Sequence, residues 1–248
     1  MVTVVKLGGS LISDKDRERS YRGAEVSALG RVLAESREPT VVVHGGGAFG
    51  HPMAKKFGLS SSRAKASSEG VAETRAAMFD LNELVCASLL SSGLRPYTFT
   101  PYPLFSDAGK KGVDWLKGLL KSGLTPVTFG DVMHDRDGFR VISGDTIVRD
   151  LCSSLKASMC VFVMDVDGIL GPDGRLLQSL DNGAMKKLEL SGSLDATGGI
   201  AFKVKEALTI ASSGTEVAFV SGFRPADFAK ALKQNRFHGT TIRDPSRE

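Results

Sequence analysis

The chain has 248 residues, 42% of them hydrophobic and 24% charged, which is enough for one large α/β domain with a substantial core. Its formal net charge is +4, and because the basic residues are spread out with no stripe of interleaved aromatics, we expect no nucleic-acid binding. The sequence has neither a signal peptide nor an apolar run of membrane length, and its three cysteines form no C-x-x-C pair, so we expect a cytoplasmic protein with free thiols and no membrane insertion.

Short apolar runs alternate with helical patterns along the chain. The runs predict strands at 2–7, 40–44, 95–99, 125–129, 158–165 and 216–221. The helical patterns fall at 24–36, 69–91, 113–122, 145–156, 200–212 and 225–234. Several strands are apolar throughout, as strands covered on both faces are. This order predicts a three-layer αβα sandwich with a mostly parallel central sheet, in one domain over residues 1–248.

Two segments interrupt the alternation. The stretch VMHDRDGFRVIS at 132–143 predicts a β-hairpin around Asp137 and Gly138. Residues 166–198 are rich in glycine, aspartate and serine. They predict loops over one face of the sheet, with a short helix near 183–190.

The first strand runs directly into the glycine-containing stretch KLGGSLISDK. The amides of Gly8 and Gly9 would be exposed where the strand ends, with Lys6 and Lys15 supplying positive charge on either side. Exposed amides of this kind bind phosphate oxygens. The spacing fits neither a Walker A loop nor the dinucleotide pattern G-x-G-x-x-G.

The second strand runs into HGGGAFGHPMAKKFGL. Pro52 favours the first turn of a helix, which would place Gly50 and His51 at a helix N-terminus, where anions bind. Two glycine loops at the ends of adjacent strands would form one continuous cradle for phosphate. We expect His44, at the end of the strand, to fix this loop by hydrogen bonding, and His51 to contact the phosphate of an acceptor.

Three later stretches add charged residues. VISGDTIVRDL places Gly144 and Asp145 at the start of a helix, where Asp145 would serve either as an N-cap or as a functional residue. VFVMDVDGIL places Asp165 and Asp167 at the end of a buried strand, where they could coordinate Mg²⁺, contact a nucleotide or form a turn. In DATGGIAFKVKEA, Lys203 lies near a helix N-terminus, a position unfavourable for a cation unless it reaches phosphates.

This combination of motifs resembles the amino acid kinase superfamily and, within it, the isopentenyl phosphate kinase family. The superfamily motifs are KLGGS, HGGG, SGD, DVDG and TGG with a following lysine. Two longer stretches, HGGGAFGHPMAKKFGL and AMFDLNELV…GLRPYTFTP, are similar to isopentenyl phosphate kinases in particular. Two positions depart from that family: Ala48 stands where serine is usual, and Thr146 where a second aspartate is usual.

The resemblance implies ATP-dependent phosphorylation of isopentenyl phosphate to isopentenyl diphosphate, in the alternative mevalonate pathway of isoprenoid biosynthesis. It also implies Mg²⁺, a homodimer, an acceptor lobe over residues 1–150 and a nucleotide lobe over 151–248. The residues that it assigns to ATP are Lys6, Gly8, Gly9, Ser10, Gly47, Asp165, Gly199 and Lys203. On the acceptor side the resemblance assigns Gly46, His51 and Gly144, and it implies that Lys15 bridges the transferring group. Gly50 is a further acceptor-side candidate because of its predicted place at a helix N-terminus.

The chemistry of this reaction is consistent with the residues present. A phosphate monoester has a second pKa of about 6, so the acceptor is largely a dianion at neutral pH and needs no general base. The reaction requires positioning and electrostatic stabilisation, for which lysines, glycine amides and a histidine are suited. The four histidines are scattered, so we expect no protein-ligated metal cluster. For the isoprenoid tail, the helix at 69–91 offers Met78 and Leu81, although apolar residues at this spacing usually belong to a core.

Three other functions stay open. A phosphonate kinase of the fosfomycin type would also place a histidine near its acceptor, in a smaller and more polar slot. An amino-acid kinase would require residues that bind an α-amino group. A non-catalytic nucleotide-binding or storage protein would be expected to lack the lysines of the transfer centre, whereas Lys6, Lys15 and Lys203 are all present.

Overall fold

The computed structural model describes residues 1–14, 16–59, 67–102, 109–135, 138–190 and 199–243. The strands are β1 (Thr3–Leu7), β2 (Thr40–His44), β3 (Pro96–Thr98), β4 (Thr125–Phe129), β5 (Asp131–Asp135), β6 (Gly138–Ile142), β7 (Met159–Met164), β8 (Ser179–Leu180), β9 (Glu216–Ser221) and β10 (Gly239–Ile242). The helices are α1 (Gly9–Ile12), α2 (Gly23–Ser36), α3 (Gly47–Lys56), α4 (Ser68–Ser91), α5 (Gly109–Lys121), α6 (Gly144–Leu155), α7 (Asn182–Leu190), α8 (Gly199–Ser212) and α9 (Pro225–Leu232).

Eight strands form one sheet in the order β3-β4-β2-β1-β7-β9-β10-β8. The pairs from β3 to β9 are parallel, and only β10 runs antiparallel to a neighbour, β9, among the described residues. Each of the six predicted strands is present. The sequence pattern predicts neither β8 nor β10, because β8 has two residues and β10 is the threonine-containing stretch GTTI.

Helices cover both faces of the sheet because successive strand residues point to opposite sides. Val4 of β1 belongs to an apolar cluster that includes residues of α5, α6, α7 and α8, whereas Val5 belongs to a second cluster that includes residues of α1, α2, α4 and α9. The predicted three-layer αβα sandwich is therefore confirmed. Across the described ranges, no helix combines the length and apolar character needed to cross a membrane.

The interruption after β4 is a hairpin, as predicted. Strands β5 and β6 pair antiparallel, with Asp135 opposite Gly138, and form a separate two-stranded sheet; Asp137 lies outside the described residues. The hairpin packs on α3 and α4 through a small apolar cluster that includes Leu59, Val71 and Val132. The helix expected near 183–190 is α7. The last part of the segment predicted as loops over residues 166–198, from 191 to 198, lies outside the described ranges.

The parallel strands β1, β2 and β7 end at one edge of the sheet. Leu7, the last residue of β1, pairs with His44 on β2 and with Val163 on β7. The loops that follow these three strands therefore meet at this edge, which is where open α/β sheets bind ligands.

Candidate active site

The glycine loops after β1 and β2 lie backbone against backbone. A Cβ atom on Gly9 would lie 2.6 Å from the Gly47 nitrogen, and a Cβ atom on Gly45 would lie 2.8 Å from the Gly9 nitrogen. Neither distance is tolerable for a side chain, so both positions require glycine. The predicted junction of the two loops is thus present, and the glycines are what allow it.

Four amides at this junction have no hydrogen-bond acceptor among the described residues. They belong to Gly9, Ser10, Gly46 and Gly47, which lie at the first turns of α1 and α3. The first amides of a helix have no partner within the helix. Successive free amides form a concave site suited to phosphate oxygens.

Two lysines share one carboxylate beside these loops. Lys6 Nζ of β1 donates to Asp145 Oδ1 at 2.8 Å, and Lys203 Nζ of α8 donates to Asp145 Oδ2 at 2.9 Å. Lys6 is only 4% exposed. A Cβ atom on Gly144 would lie 2.5 Å from Lys6 Cε, so glycine at this position leaves room for the buried lysine.

The electrostatics of this cluster keep Asp145 ionised. Burial opposes the charged form of Asp145, but the charges of Lys6 and Lys203 hold the pKa of that carboxyl well below its usual range. The pKa of Lys203 is lowered, first by burial and then by the charge of Lys6, while Asp145 partly offsets both effects. Two positive charges are thus held side by side by one negative charge, so the cluster can receive further anions.

The prediction that Asp145 caps α6 is wrong. The N-cap is Ser143, whose hydroxyl accepts a hydrogen bond from the Thr146 amide at 3.1 Å. Asp145 therefore lies inside the first turn, where its side chain is available to the lysines. The sequence contained a signal for this, because Ser143 is also a good capping residue and lies two positions before Asp145.

Of the paired aspartates after β7, only Asp165 faces the glycine loops. Its Oδ1 atom accepts a hydrogen bond from Ser10 Oγ at 2.9 Å. Asp167 instead pairs at the surface with Arg224 (3.0 Å) and His238 (3.2 Å). The structure thus separates two residues that the sequence left equivalent.

The helix that follows β2 begins earlier than predicted. It starts at Gly47, so Gly50 and His51 lie one turn inside it and Pro52 is in its interior. Helical side chains tilt toward the N-terminus, which returns the His51 ring to the loop: a Cβ atom on Gly46 would lie 2.9 Å from His51 Cδ2. The correction moves the helix start but keeps His51 beside the glycine loop.

Met78 and Leu81 have different surroundings. The Met78 sulfur lies against the loop, 3.3 Å from a Cβ position on Gly46, and it would collide with any side chain at Gly50. Leu81 is fully buried in the core cluster between the sheet, α2 and α4. Only Met78 is therefore placed beside His51.

His44 has the anchoring geometry expected of it. Its Nδ1 atom donates to the Gly45 carbonyl at 3.0 Å, and Nε2 lies 3.3 Å from the side-chain amide of Asn82, which in turn bonds Thr98. Its ring stacks on Phe129. Burial lowers the pKa of His44 to about 4, against hydrogen bonds to Gly45 and Asn82 that favour the charged form, so the ring is neutral at pH 7.

The remaining candidate residues differ in their surroundings. Gly8 ends β1 tightly, since a Cβ atom there would lie 3.0 Å from the Val163 carbonyl oxygen. Gly199 begins α8, and a Cβ atom there would meet none of the described residues within 4 Å. Thr146, one of the two departures from the family, bonds Glu206 at 3.3 Å. Lys15 lies outside the described residues.

The chain is similar in sequence and in structure to known kinases. A family model described as the amino acid kinase family matches residues 1–221. The chain is 32% identical to isopentenyl phosphate kinase of Thermoplasma acidophilum, over 97% of this chain and 99% of that protein. It is 34% identical to isopentenyl phosphate kinase of Methanocaldococcus jannaschii, over 82% of this chain and 85% of that protein. The crystal structure of the T. acidophilum enzyme as a product complex matches with a TM-score of 0.81 and 30% identity, covering 98% of this chain and 100% of that one.

Proposed function

Since the chain belongs to the amino acid kinase family and, within it, to the isopentenyl phosphate kinases, we propose that it transfers the γ-phosphoryl group of ATP to isopentenyl phosphate. The observation that carries this proposal is the pair of lysines sharing Asp145 beside two joined glycine loops with free amides. Amides and ammonium groups are the donors that bind phosphate oxygens, and this site supplies enough of them for two phosphate-bearing substrates.

The transfer is a displacement at phosphorus. An oxygen of the acceptor phosphate bonds to the γ-phosphorus, the bond from that phosphorus to the β–γ bridging oxygen breaks, and ADP leaves. Because the acceptor is already a dianion, the protein needs no base. Its task is to hold two anions in line and to offset charge as the phosphoryl group moves.

We assign the residues to the two substrates as the family resemblance implies. On the nucleotide side we place Asp165, Gly199 and Lys203 of the lobe over residues 151–248, together with five residues of the lobe over residues 1–150: Lys6, Gly8, Gly9, Ser10 and Gly47. On the acceptor side, within the lobe over residues 1–150, we place Gly46, Gly50, His51 and Gly144, with Lys15 bridging the transferring group. The homodimer expected from the family resemblance remains part of this proposal.

Mg²⁺ would enter with ATP. Within the described residues, no group of three His, Cys, Asp or Glu side chains is placed to hold a metal ion, and both oxygens of Asp145 are engaged by lysines. This donor set fits an ion that keeps several waters and is bound mainly by substrate phosphates, with Asp165, which bonds Ser10 of the first glycine loop, as the available carboxylate. When bound, Mg²⁺ neutralises charge on the β- and γ-phosphates.

The first prediction concerns acceptor choice. Isopentenyl phosphate is expected to exceed other acceptors by at least about tenfold in kcat/KM, or about 1.4 kcal/mol of transition-state binding, because His51 and Met78 present a polar and an apolar contact side by side. A coupled ADP-release assay measures this over isopentenyl phosphate, dimethylallyl phosphate, geranyl phosphate, fosfomycin, glutamate and N-acetylglutamate.

Each alternative function has its own signature in this assay. Preference for fosfomycin would favour a phosphonate kinase, and preference for glutamate or N-acetylglutamate an amino-acid kinase. ATP binding with no turnover of any acceptor would favour a nucleotide-binding or storage protein. Any of these outcomes contradicts the proposal.

The second prediction separates Met78 from Leu81. Met78→Ala is expected to raise kcat/KM for geranyl phosphate relative to isopentenyl phosphate, because it removes the side chain that fills the space beside Gly46 and Gly50. Leu81→Ala, the matched control on the same helix, is expected to lower stability by about 2–5 kcal/mol without changing this ratio. An unchanged ratio in Met78→Ala would remove Met78 from the tail pocket.

A further inference from the structure

We propose that Ser13 is a positioning residue that fixes the glycine loop after β1 and the glycine loop after β2 relative to each other. The inference rests on the proposed function, because it concerns the alignment of the two reacting phosphates. Ser13 lies at the end of α1 and is fully buried. Nothing in the motifs distinguishes it from other serines of the chain.

The Ser13 hydroxyl joins the two loops directly. Oγ donates to the Gly9 carbonyl at 2.7 Å and accepts a hydrogen bond from the Ala48 amide at 2.8 Å. Gly9 belongs to the loop after β1, and Ala48 to the first turn of the helix after β2. A single hydroxyl therefore spans the junction, using its donor and one acceptor lone pair.

The backbone around this hydroxyl leaves little alternative. Gly47 has a φ of +48°, and a Cβ atom on it would occupy the position of the Ser13 hydroxyl. Glycine at 47 thus makes room for Ser13 as well as for the turn. Without the hydroxyl, the Ala48 amide would be buried with no acceptor, a state that folded proteins avoid.

A second contact holds Ala48 from the same stretch of chain. Pro52 has no N–H to bond the Ala48 carbonyl within the helix, and that carbonyl instead accepts from the Arg19 amide at 3.3 Å. Both polar backbone groups of Ala48 are therefore satisfied by the segment from Ser13 to Arg19. In sequence, these two contacts bracket Lys15, the lysine that we assign to the transferring group.

The functional consequence is on the rate of transfer rather than on the binding of either substrate. Each loop keeps its own amides when Ser13 is removed, so each phosphate still binds. The separation of the two loops is no longer fixed, and a misplacement of about 1 Å between reacting groups costs about 100-fold in rate. We therefore expect Ser13→Ala to lower kcat by about 10–100-fold and to change either KM by less than about threefold.

The test compares Ser13→Ala with two other variants. Ser13→Thr keeps the hydroxyl and is expected to recover kcat to within about threefold of the unaltered protein. Thr215→Val removes a buried hydroxyl that bonds the Ala157 carbonyl at 2.9 Å, far from the loops, and is expected to lower the thermal midpoint while leaving kcat unchanged. Hydrogen exchange at the Ala48 amide should accelerate in Ser13→Ala alone. If the alanine variant does not fold, Ser13→Cys replaces it, since a thiol is only a weak donor and acceptor.

Failure of this inference is distinguishable from failure of the proposed function. If the unaltered protein phosphorylates isopentenyl phosphate and Ser13→Ala keeps its kcat, the positioning role is wrong and the function stands. Equal losses of kcat in Ser13→Ala and Ser13→Thr would also overturn it. If the unaltered protein does not turn over the acceptor, the proposed function fails first, and accelerated exchange at Ala48 still reports the loop contact.

Discussion

Replacing Asp145 by asparagine is expected to lower kcat for phosphoryl transfer by about 10³-fold, the upper range for loss of one preorganised electrostatic group. The Asp145 carboxylate accepts hydrogen bonds from Lys6 at 2.8 Å and from Lys203 at 2.9 Å, and it thereby holds the two ammonium groups side by side. Without its charge, two buried ammonium groups repel each other and are no longer fixed toward the phosphates. ATP binding should weaken less than kcat falls, because the lysines act most strongly on charge that develops in the transition state.

The pH profile gives this prediction a second readout. The pKa of Lys203 is already lowered by burial and by Lys6, and the Asp145 charge partly offsets that effect. Removing the charge lowers the pKa of Lys203 further, so its positive charge is lost at a lower pH. The alkaline limb of the kcat profile should therefore move to lower pH in Asp145→Asn.

A matched control lies one turn along the same two helices. Arg149 of α6 pairs with Glu206 of α8 at 2.9 Å, and Glu206 is also well buried. Glu206→Gln is expected to lower the thermal midpoint and leave kcat within a few-fold. Equal effects of the two substitutions on kcat would mean that Asp145 only joins two helices.

His51→Ala is expected to lower kcat/KM for isopentenyl phosphate by about 10²-fold or more, the range for loss of one donor aimed at a developing charge, with ATP affinity and thermal midpoint nearly unchanged. The ring lies beside Gly46 on the acceptor side, and a histidine has an N–H to donate in either protonation state. His51→Gln, which keeps an N–H donor, should recover part of the loss. Acceptor kinetics, ATP affinity and thermal midpoint together test this role, and unaltered acceptor kinetics in His51→Ala would exclude it.

His44→Ala is the contrasting variant, because His44 acts through the loop. It is expected to lower stability first, with activity falling as the loop after β2 loses the hydrogen bond that the ring donates to the Gly45 carbonyl and the contact of the ring with Asn82. The pH dependence of stability is a second test of His44, because its ring has a different pKa in the folded and the unfolded chain. The pKa of His44 in the folded chain is about 4, against an ordinary 6.5, so below pH 6.5 the unfolded chain binds a proton that the folded chain does not. Stability should fall by about 3 kcal/mol as the pH drops through this window, and His44→Ala should lose this dependence.

Local sequence patterns were sufficient for the layers of the fold and for the two glycine loops of the site. Apolar runs such as TVVVH predict strands buried on both faces, and the sheet places them so. The parallel order then brings the two glycine loops to one edge, since parallel strands end together. The sequence alone therefore predicts that the two glycine loops lie side by side, because periodicity and glycine content are properties of neighbouring residues.

The roles of individual polar side chains depended on partners distant in the sequence. Lys6 and Asp145 are 139 residues apart, and although the neighbouring Ser143 argues against a capping role for Asp145, nothing local identifies the two lysines that it binds. The start of α3 was misplaced because Pro52 fits a first turn by itself, whereas in the fold Arg19 takes the carbonyl that the proline leaves free. The same dependence on distant partners explains why the sequence did not reveal the contacts of Ser13 and Asn82 or the different surroundings of Met78 and Leu81. Residue patterns were enough to predict the layers and the glycine loops, whereas the side chains that face these loops could be identified only in the folded chain, because hydrogen bonds and packing join residues that no local pattern connects.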